Sequence, residues 1–142
     1  MAAKHLADWH SPLLPQAAVA TFISDGHFGR HIRRVRRLYS DRRNRLFEEV
    51  QRSLSIWLDV LPSGTGLHVS ATLKQDVSSE AVAEAALASG VRVFPMPQGI
   101  VFGIGAIEAS QIKIATEKLR DVFRALRRET SRSRKTSAGA KR

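Results

Sequence analysis

The sequence predicts an α/β chain, a two-layer sandwich with helices on one face of a small mixed or mainly antiparallel sheet, preceded by a long helix. Three observations carry this. Apolar residues recur at helical intervals across 27–54. Four apolar runs of strand length then follow, separated by Pro and Gly and interrupted by one Ala-rich helical stretch. The chain finally returns to a second amphipathic helical pattern, so strands and helices alternate as a layered sandwich requires.

The first element is "SPLLPQAAVATFISDG", residues 11–26. Ser11 or Pro12 opens a helix and Gly26 closes it, with Leu14, Ala18, Phe22 and Asp25 along one side. The second is a longer helix over 27–55, in which Phe28, Ile32, Val35, Tyr39, Leu46, Val50 and Leu54 form an apolar stripe read as a core face. Pro62, Gly64 and Gly66 then separate two strands, Ile56 to Leu61 and Leu67 to Leu73, that pair as a hairpin. "SSEAVAEAALASG" is a short helix capped by Ser78 or Ser79 and stopped by Gly90. The strands "VRVFPM" and "GIVFGIGAI" follow, and the last helix turns Ile112, Ala115, Leu119, Val122 and Leu126 inward.

Charge is distributed unevenly. The 142 residues carry 23 Lys and Arg against 13 Asp and Glu, a formal +10. Residues 27–52 hold nine arginines against Asp41, Glu48 and Glu49, and 127–142 hold seven basic residues against Glu129, each a net +6. The remaining body is close to neutral. The tail 127–142 lacks a large apolar residue and is expected to be disordered, because it cannot bury enough surface to offset its ordering entropy. With no cysteine, disulfides, thiolate metal sites and cysteine nucleophiles are excluded. No stretch has the length and apolarity of a membrane span and the N-terminus lacks a signal-peptide pattern, so a soluble, cytoplasmic protein without membrane partners is expected.

The densest basic stretch, "GHFGRHIRRVRRLYSDRRNRL" at 26–46, raises the question of a nucleic-acid surface. With the apolar stripe turned inward, Arg30, Arg33, Arg34 and Arg37 fall on the opposite and flanking sides, where they could meet phosphates in a salt-sensitive, nonspecific way. The competing reading is a solvated or interface-lining scaffold helix. His27 and His31 stand one turn apart, yet Phe28 occupies the place of the Glu in a zinc-protease motif, so no metal site is assigned. "GIGAIE", 103–108, imitates a dinucleotide fingerprint but puts Glu108 where the third glycine belongs. His68 reads as a structural residue on a strand. Lys4, Lys74, Lys113 and Lys118 lie in no apolar stretch that would activate an amine, and no catalytic constellation emerges.

"DWHSPLLPQAAVATFISDGHFGRHIRRVRRLYSDRRNRL" resembles the segment after the cofactor-lysine region of MocR-type regulators, GntR-family proteins with a fold type I aminotransferase-like domain. "GLHVSATL", "VAEAALASGVRVFPM" and "GIVFGIGAIEASQI" are similar in order and spacing to the rest of that family's small C-terminal domain. The resemblance covers residues 5–126. It implies an aminotransferase fold type I small domain over 1–126, with helices 11–26 and 27–55, an α/β body 56–126, and the tail 127–142 outside it.

The resemblance further implies the C-terminal portion of a pyridoxal-phosphate-dependent regulator, inactive alone. The cofactor lysine, the aspartate that pairs with the pyridine nitrogen and the winged-helix DNA-binding part would lie elsewhere, so no cofactor is expected on this chain alone. None of the four body lysines matches the cofactor lysine. The partners implied are a missing large pyridoxal-phosphate domain or a second copy of the chain. Two departures stand out: Phe102 occupies the place where aminotransferases offer an arginine to the substrate carboxylate, and the loop between the strands at Val91 and Ile100 is shortened to "PMPQG". No catalytic, cofactor-binding or metal-binding residue carries over. The alternative is a small basic nucleic-acid-binding protein that uses the arginine helix and the tail.

Overall fold

The computed structural model describes residues 12–62, 66–74 and 77–139, the last nine without their side chains. Pro12 serves as the N-cap of α1 (Leu13–Ser24), which ends at Asp25 and Gly26, the latter at φ 73°. Ser11, Lys4 and Gly64 lie outside the described residues. α2 (His27–Ser53) then runs unbroken, as befits a stretch of Arg, Leu and Glu with no proline.

The chain divides into two compact units, Met1–Leu38 and Tyr39–Arg142, with the boundary inside α2. The predicted stripe changes character just past that boundary, between Tyr39 and Leu46. Leu46, Val50 and Leu54 are 6%, 1% and 0% exposed, whereas Phe28 is 47% exposed and Ile32, Val35 and Tyr39 are half-buried. Helical periodicity marks a face that avoids water without saying what covers it. In α1 no residue is buried: Leu14, Phe22 and the rest of its apolar side chains are exposed.

The second unit is built on a four-stranded sheet of β1 (Leu58–Val60), β2 (His68–Leu73), β3 (Phe94–Met96) and β4 (Gly99–Gly103), in the order β1-β2-β4-β3. Every neighbouring pair is antiparallel, which resolves the expected mixed or antiparallel sheet to the latter. β1, β3 and β4 are shorter than predicted, β4 ending at Gly103 rather than running on to Ile107. Alternation sets the faces: Val69 and Ala71 lie opposite Phe102 and Ile100 and are buried, while Ser70 and Val101, also paired, occupy the other face and are half-exposed. Gly99 is dictated by packing, because a Cβ there would stand 2.3 Å from the Ala71 carbonyl oxygen across the β2–β4 pair.

α3 (Ser79–Ala88) begins where the Ser78 hydroxyl accepts the Ala81 N–H at 3.2 Å. It ends in a Schellman motif, with Gly90 at φ 78°, the Gly90 N–H on the Leu87 carbonyl and the Val91 N–H on the Ala86 carbonyl, both at 2.9 Å. That capping occupies Val91, so the strand predicted to start there starts at Phe94. α4 (Ala109–Gly139) buries Ile112, Leu119 and Val122 as expected, together with Thr116 and Phe123. Ala115 and Leu126 are half-buried.

Phe123 stacks on Trp57 with ring centroids 5.7 Å apart. Residues from the end of α2, from α3 and α4, and from the inner face of the sheet thus share one core. The segment 127–139, expected to lack structure, continues α4. It contains no proline, and extending an existing helix adds one hydrogen bond for each residue ordered, without a new nucleation cost. Residues 140–142 lie outside the described residues.

Candidate functional site

The arginines of α2 fall into two classes. In the second unit they are engaged. The Arg42 guanidinium donates from one nitrogen to the carbonyls of Ile104 at 3.2 Å and Gly105 at 2.8 Å and lies 5.7 Å from the Tyr39 ring centroid, while Arg43 donates to the Gly66 carbonyl. Arg45 pairs with Asp41 at 3.8 Å, and Arg52 pairs with Glu49. Arg42 and Arg43 flank the apolar stripe, so their stems cover it while their heads reach backbone oxygens. These are structural contacts.

In the first unit the four predicted phosphate-facing residues, Arg30, Arg33, Arg34 and Arg37, are all exposed, as is Arg36. No described carboxylate forms a salt bridge with any of the five. Arg30 donates to His27 Nδ1 at 2.9 Å, and the His27 ring stacks on Phe22 with centroids 5.5 Å apart. That contact makes Nδ1 an acceptor, with the proton of the neutral ring on Nε2. The sequence reading missed this contact between His27 and Arg30. His31 is exposed, and no group of three metal-ligating side chains occurs among the described residues.

The remaining predicted features are placed as follows. His68 is exposed at the start of β2. In "GIGAIE", the Ile104 and Gly105 carbonyls face Arg42, and Glu108 immediately precedes α4. Phe102 is 7% exposed and turned into the core, so a side chain at 102 reaches the helix layer; on β4 it is Val101 that faces the other side of the sheet. "PMPQG" closes as a tight β3–β4 hairpin in which Met96 pairs with Gly99 and Gln98 adopts φ 61°.

A cleft of about 590 Å³ opens beside β3, lined by Arg92, Phe94, Gln111, Ile114 and Lys118 among others. Its two cations could meet an anion, but no carboxylate lines it. Lys74 is paired with Asp59 at 3.7 Å and exposed, and Lys113 and Lys118 are exposed on α4. Pyridoxal phosphate requires a sequestered lysine and an acidic or equivalent partner for its ring nitrogen. The described residues do not fit that group by themselves.

Fold comparison identifies the class. α-Aminoadipate aminotransferase LysN from Thermus thermophilus, solved with N-(5′-phosphopyridoxyl)-L-leucine, matches with a TM-score of 0.73 at 21% identity, over 87% of this chain and 34% of its own. Kynurenine aminotransferase from Pyrococcus horikoshii gives 0.76 at 17% identity, and a multiple-substrate aminotransferase from Thermococcus profundus gives 0.76 at 19%, covering 87% and 92% of this chain and 33% and 34% of their own. The sheet and helices are therefore those of an aminotransferase-like part of fold type I, a class whose structural neighbours here use pyridoxal phosphate.

Sequence relatives narrow the class further. A Rhizobium meliloti protein described as "Probable rhizopine catabolism regulatory protein MocR" is 33% identical over 127 residues, 82% of this chain and 26% of the relative. The HTH-type transcriptional regulator YhdI of Bacillus subtilis is 28% identical over 117 residues, 76% of this chain and 25% of that protein. The chain's homologues are thus MocR-type regulators of the GntR family, and the chain matches the C-terminal aminotransferase-like portion of such a regulator. It spans about a quarter of the length of these curated relatives. No family model matches it. Among the described residues no helix is long and apolar enough to cross a membrane.

Proposed function

We propose that this chain is the small-domain part of a pyridoxal-phosphate-dependent, aminotransferase-like transcriptional regulator, and that it has no aminotransferase activity alone. The observation that carries the reading is the 33% identity over 127 residues to a regulator of which those residues are a quarter. In this reading, polypeptide outside the chain supplies the cofactor lysine, the acidic ring partner and the DNA-binding part. The chain contributes the sheet and the end of α2 as a rigid platform beside the cofactor-bearing domain. The absence of a fitting lysine site among the described residues supports the assignment, as does the exposed α1, whose apolar side chains need a cover.

The test is chemical. The purified chain is mixed with pyridoxal phosphate, reduced with borohydride, and its labelled lysines are located by mass spectrometry. The expected result is scattered or absent label over Lys4, Lys74, Lys113, Lys118, Lys135 and Lys141. Stoichiometric label on one lysine would show a self-sufficient cofactor site and overturn the proposal.

A further inference from the structure

We infer that the exposed face of α2 formed by Arg30, Arg33, Arg34 and Arg37 is a phosphate-backbone contact surface for duplex nucleic acid, separate from any helix-turn-helix reader. At about 100° per residue these four side chains occupy roughly a third of the helix circumference, centred opposite the Phe28, Ile32, Val35 and Tyr39 stripe. All four are exposed. Four guanidinium groups therefore share one open face with no carboxylate in salt-bridge range among the described residues, and α2 has no acidic residue in its first turn. The contrast lies within the same helix: Arg42 and Arg43 reach backbone carbonyls, and Arg45 and Arg52 pair with carboxylates. Arg30 meets only the ring of His27, and Arg33, Arg34 and Arg37 have no carboxylate partner among the described residues.

The composition of the face decides between possible occupants. An acidic protein partner would be held chiefly by apolar or aromatic anchors at the centre of the interface, where charge is depleted. Arg30, Arg33, Arg34 and Arg37 have no apolar residue between them on their arc, which has His27 at its edge and further along α2 adds Asp41, Asn44, Glu48, Gln51 and Arg52, none of them apolar. A phosphate backbone needs no such anchor, since its affinity comes from charge neutralisation and counterion release. Dimensions agree as well. Arg30 to Arg37 spans about 10 Å of helix at ~1.5 Å per residue, against one phosphate per ~3.4 Å along each strand of a duplex, so about three phosphates come within reach. Such contacts position a protein on DNA without reading its sequence. The inference does not rest on the aminotransferase-like reading, because none of these arginines enters the lysine-labelling test.

The experiment titrates the full chain with a labelled duplex of arbitrary sequence, about 20 bp long, between about 50 and 200 mM salt. Three neutralised phosphates predict a log–log salt slope near −3 and a loss of affinity of about 50-fold over that range. The basic residues of 127–142 add to the wild-type slope, so the decisive reading is the difference between variants. R30A/R33A/R34A/R37A is expected to make the slope shallower by about three, R45A/R52A to leave it unchanged, and the charge-preserving R30K/R33K/R34K/R37K to retain it. The lysine variant separates loss of charge from loss of fold. No duplex binding at the lowest salt, an unchanged slope in the alanine variant, or loss of binding in the lysine variant would overturn the inference. So would preferential, arginine-dependent binding of poly-glutamate, which would assign the face to an acidic protein.

Discussion

At the scale of single residues, arginine has two different roles in one helix, and exposure and partners tell them apart. Arg42 is part-buried, and one of its nitrogens serves two backbone carbonyls in the loop after β4. Removing a charged donor from such a site leaves those oxygens short of a partner and costs about 2 kcal/mol, in line with hydrogen bonds to charged groups. Arg34 is exposed and has no described partner, so its removal falls within about 0.5 kcal/mol of wild type. Urea unfolding of R42A and R34A, followed by a probe in the Tyr39–Arg142 unit, is expected to show a lowered midpoint for R42A alone. Equal effects would mean that the distinction drawn along α2 is not an energetic one.

At the scale of elements, α3 was the most legible part of the chain because its signals are local. Ser78 and Gly90 specify its two ends, and the alanines between them have the highest helix propensity. The pairing of β1 with β2 was similarly readable from Pro and Gly punctuation between two apolar runs. The covering of the α2 stripe was not, since periodicity at Phe28, Ile32 and Val35 has the same form as at Leu46, Val50 and Leu54, although only the latter three are buried. The capture of Arg42 and Arg43 by carbonyls 62 and 23 residues away was likewise illegible, because it depends on tertiary contact. The candidate cationic face itself could be read directly, because four arginines opposite a stripe need only the helical period. The α3 start also carries a pH signature. The Ser78 hydroxyl donates to the Glu80 carboxylate at 2.7 Å, and this bond, with those from the Glu80 backbone and Ser79, holds the carboxyl below its ordinary value. A carboxyl whose folded-state pKa lies below its unfolded value stabilises the fold at pH above the unfolded value, and that contribution is lost as pH falls through the folded one. Stability of wild type relative to E80Q is therefore expected to decline on acidification through the carboxylate range, measured by denaturant titrations at stepped pH; parallel pH profiles would remove Glu80 as the cause.

At the scale of the whole molecule, two surface properties pull in opposite directions. α1 is a twelve-residue helix without a charged side chain, and it leaves Leu13, Leu14, Val19, Phe22 and Ile23 in contact with water. Contiguous apolar surface of this kind favours association with a partner or with a second copy. The formal charge of +10 opposes self-association through long-range repulsion, which salt screens. The chain alone is therefore expected to self-associate more strongly as salt is raised, the reverse of its expected behaviour toward a duplex, whose binding weakens with salt. Sedimentation velocity over a concentration series at low and high salt measures this directly. L14Q/F22Q/I23Q is expected to shift the distribution toward monomer while leaving the unfolding midpoint of the Tyr39–Arg142 unit unchanged, because none of the three residues belongs to its core. A wild-type chain that stays monomeric at high salt and binds no hydrophobic dye would show that α1 needs no cover, and would remove one of the supports for a missing domain.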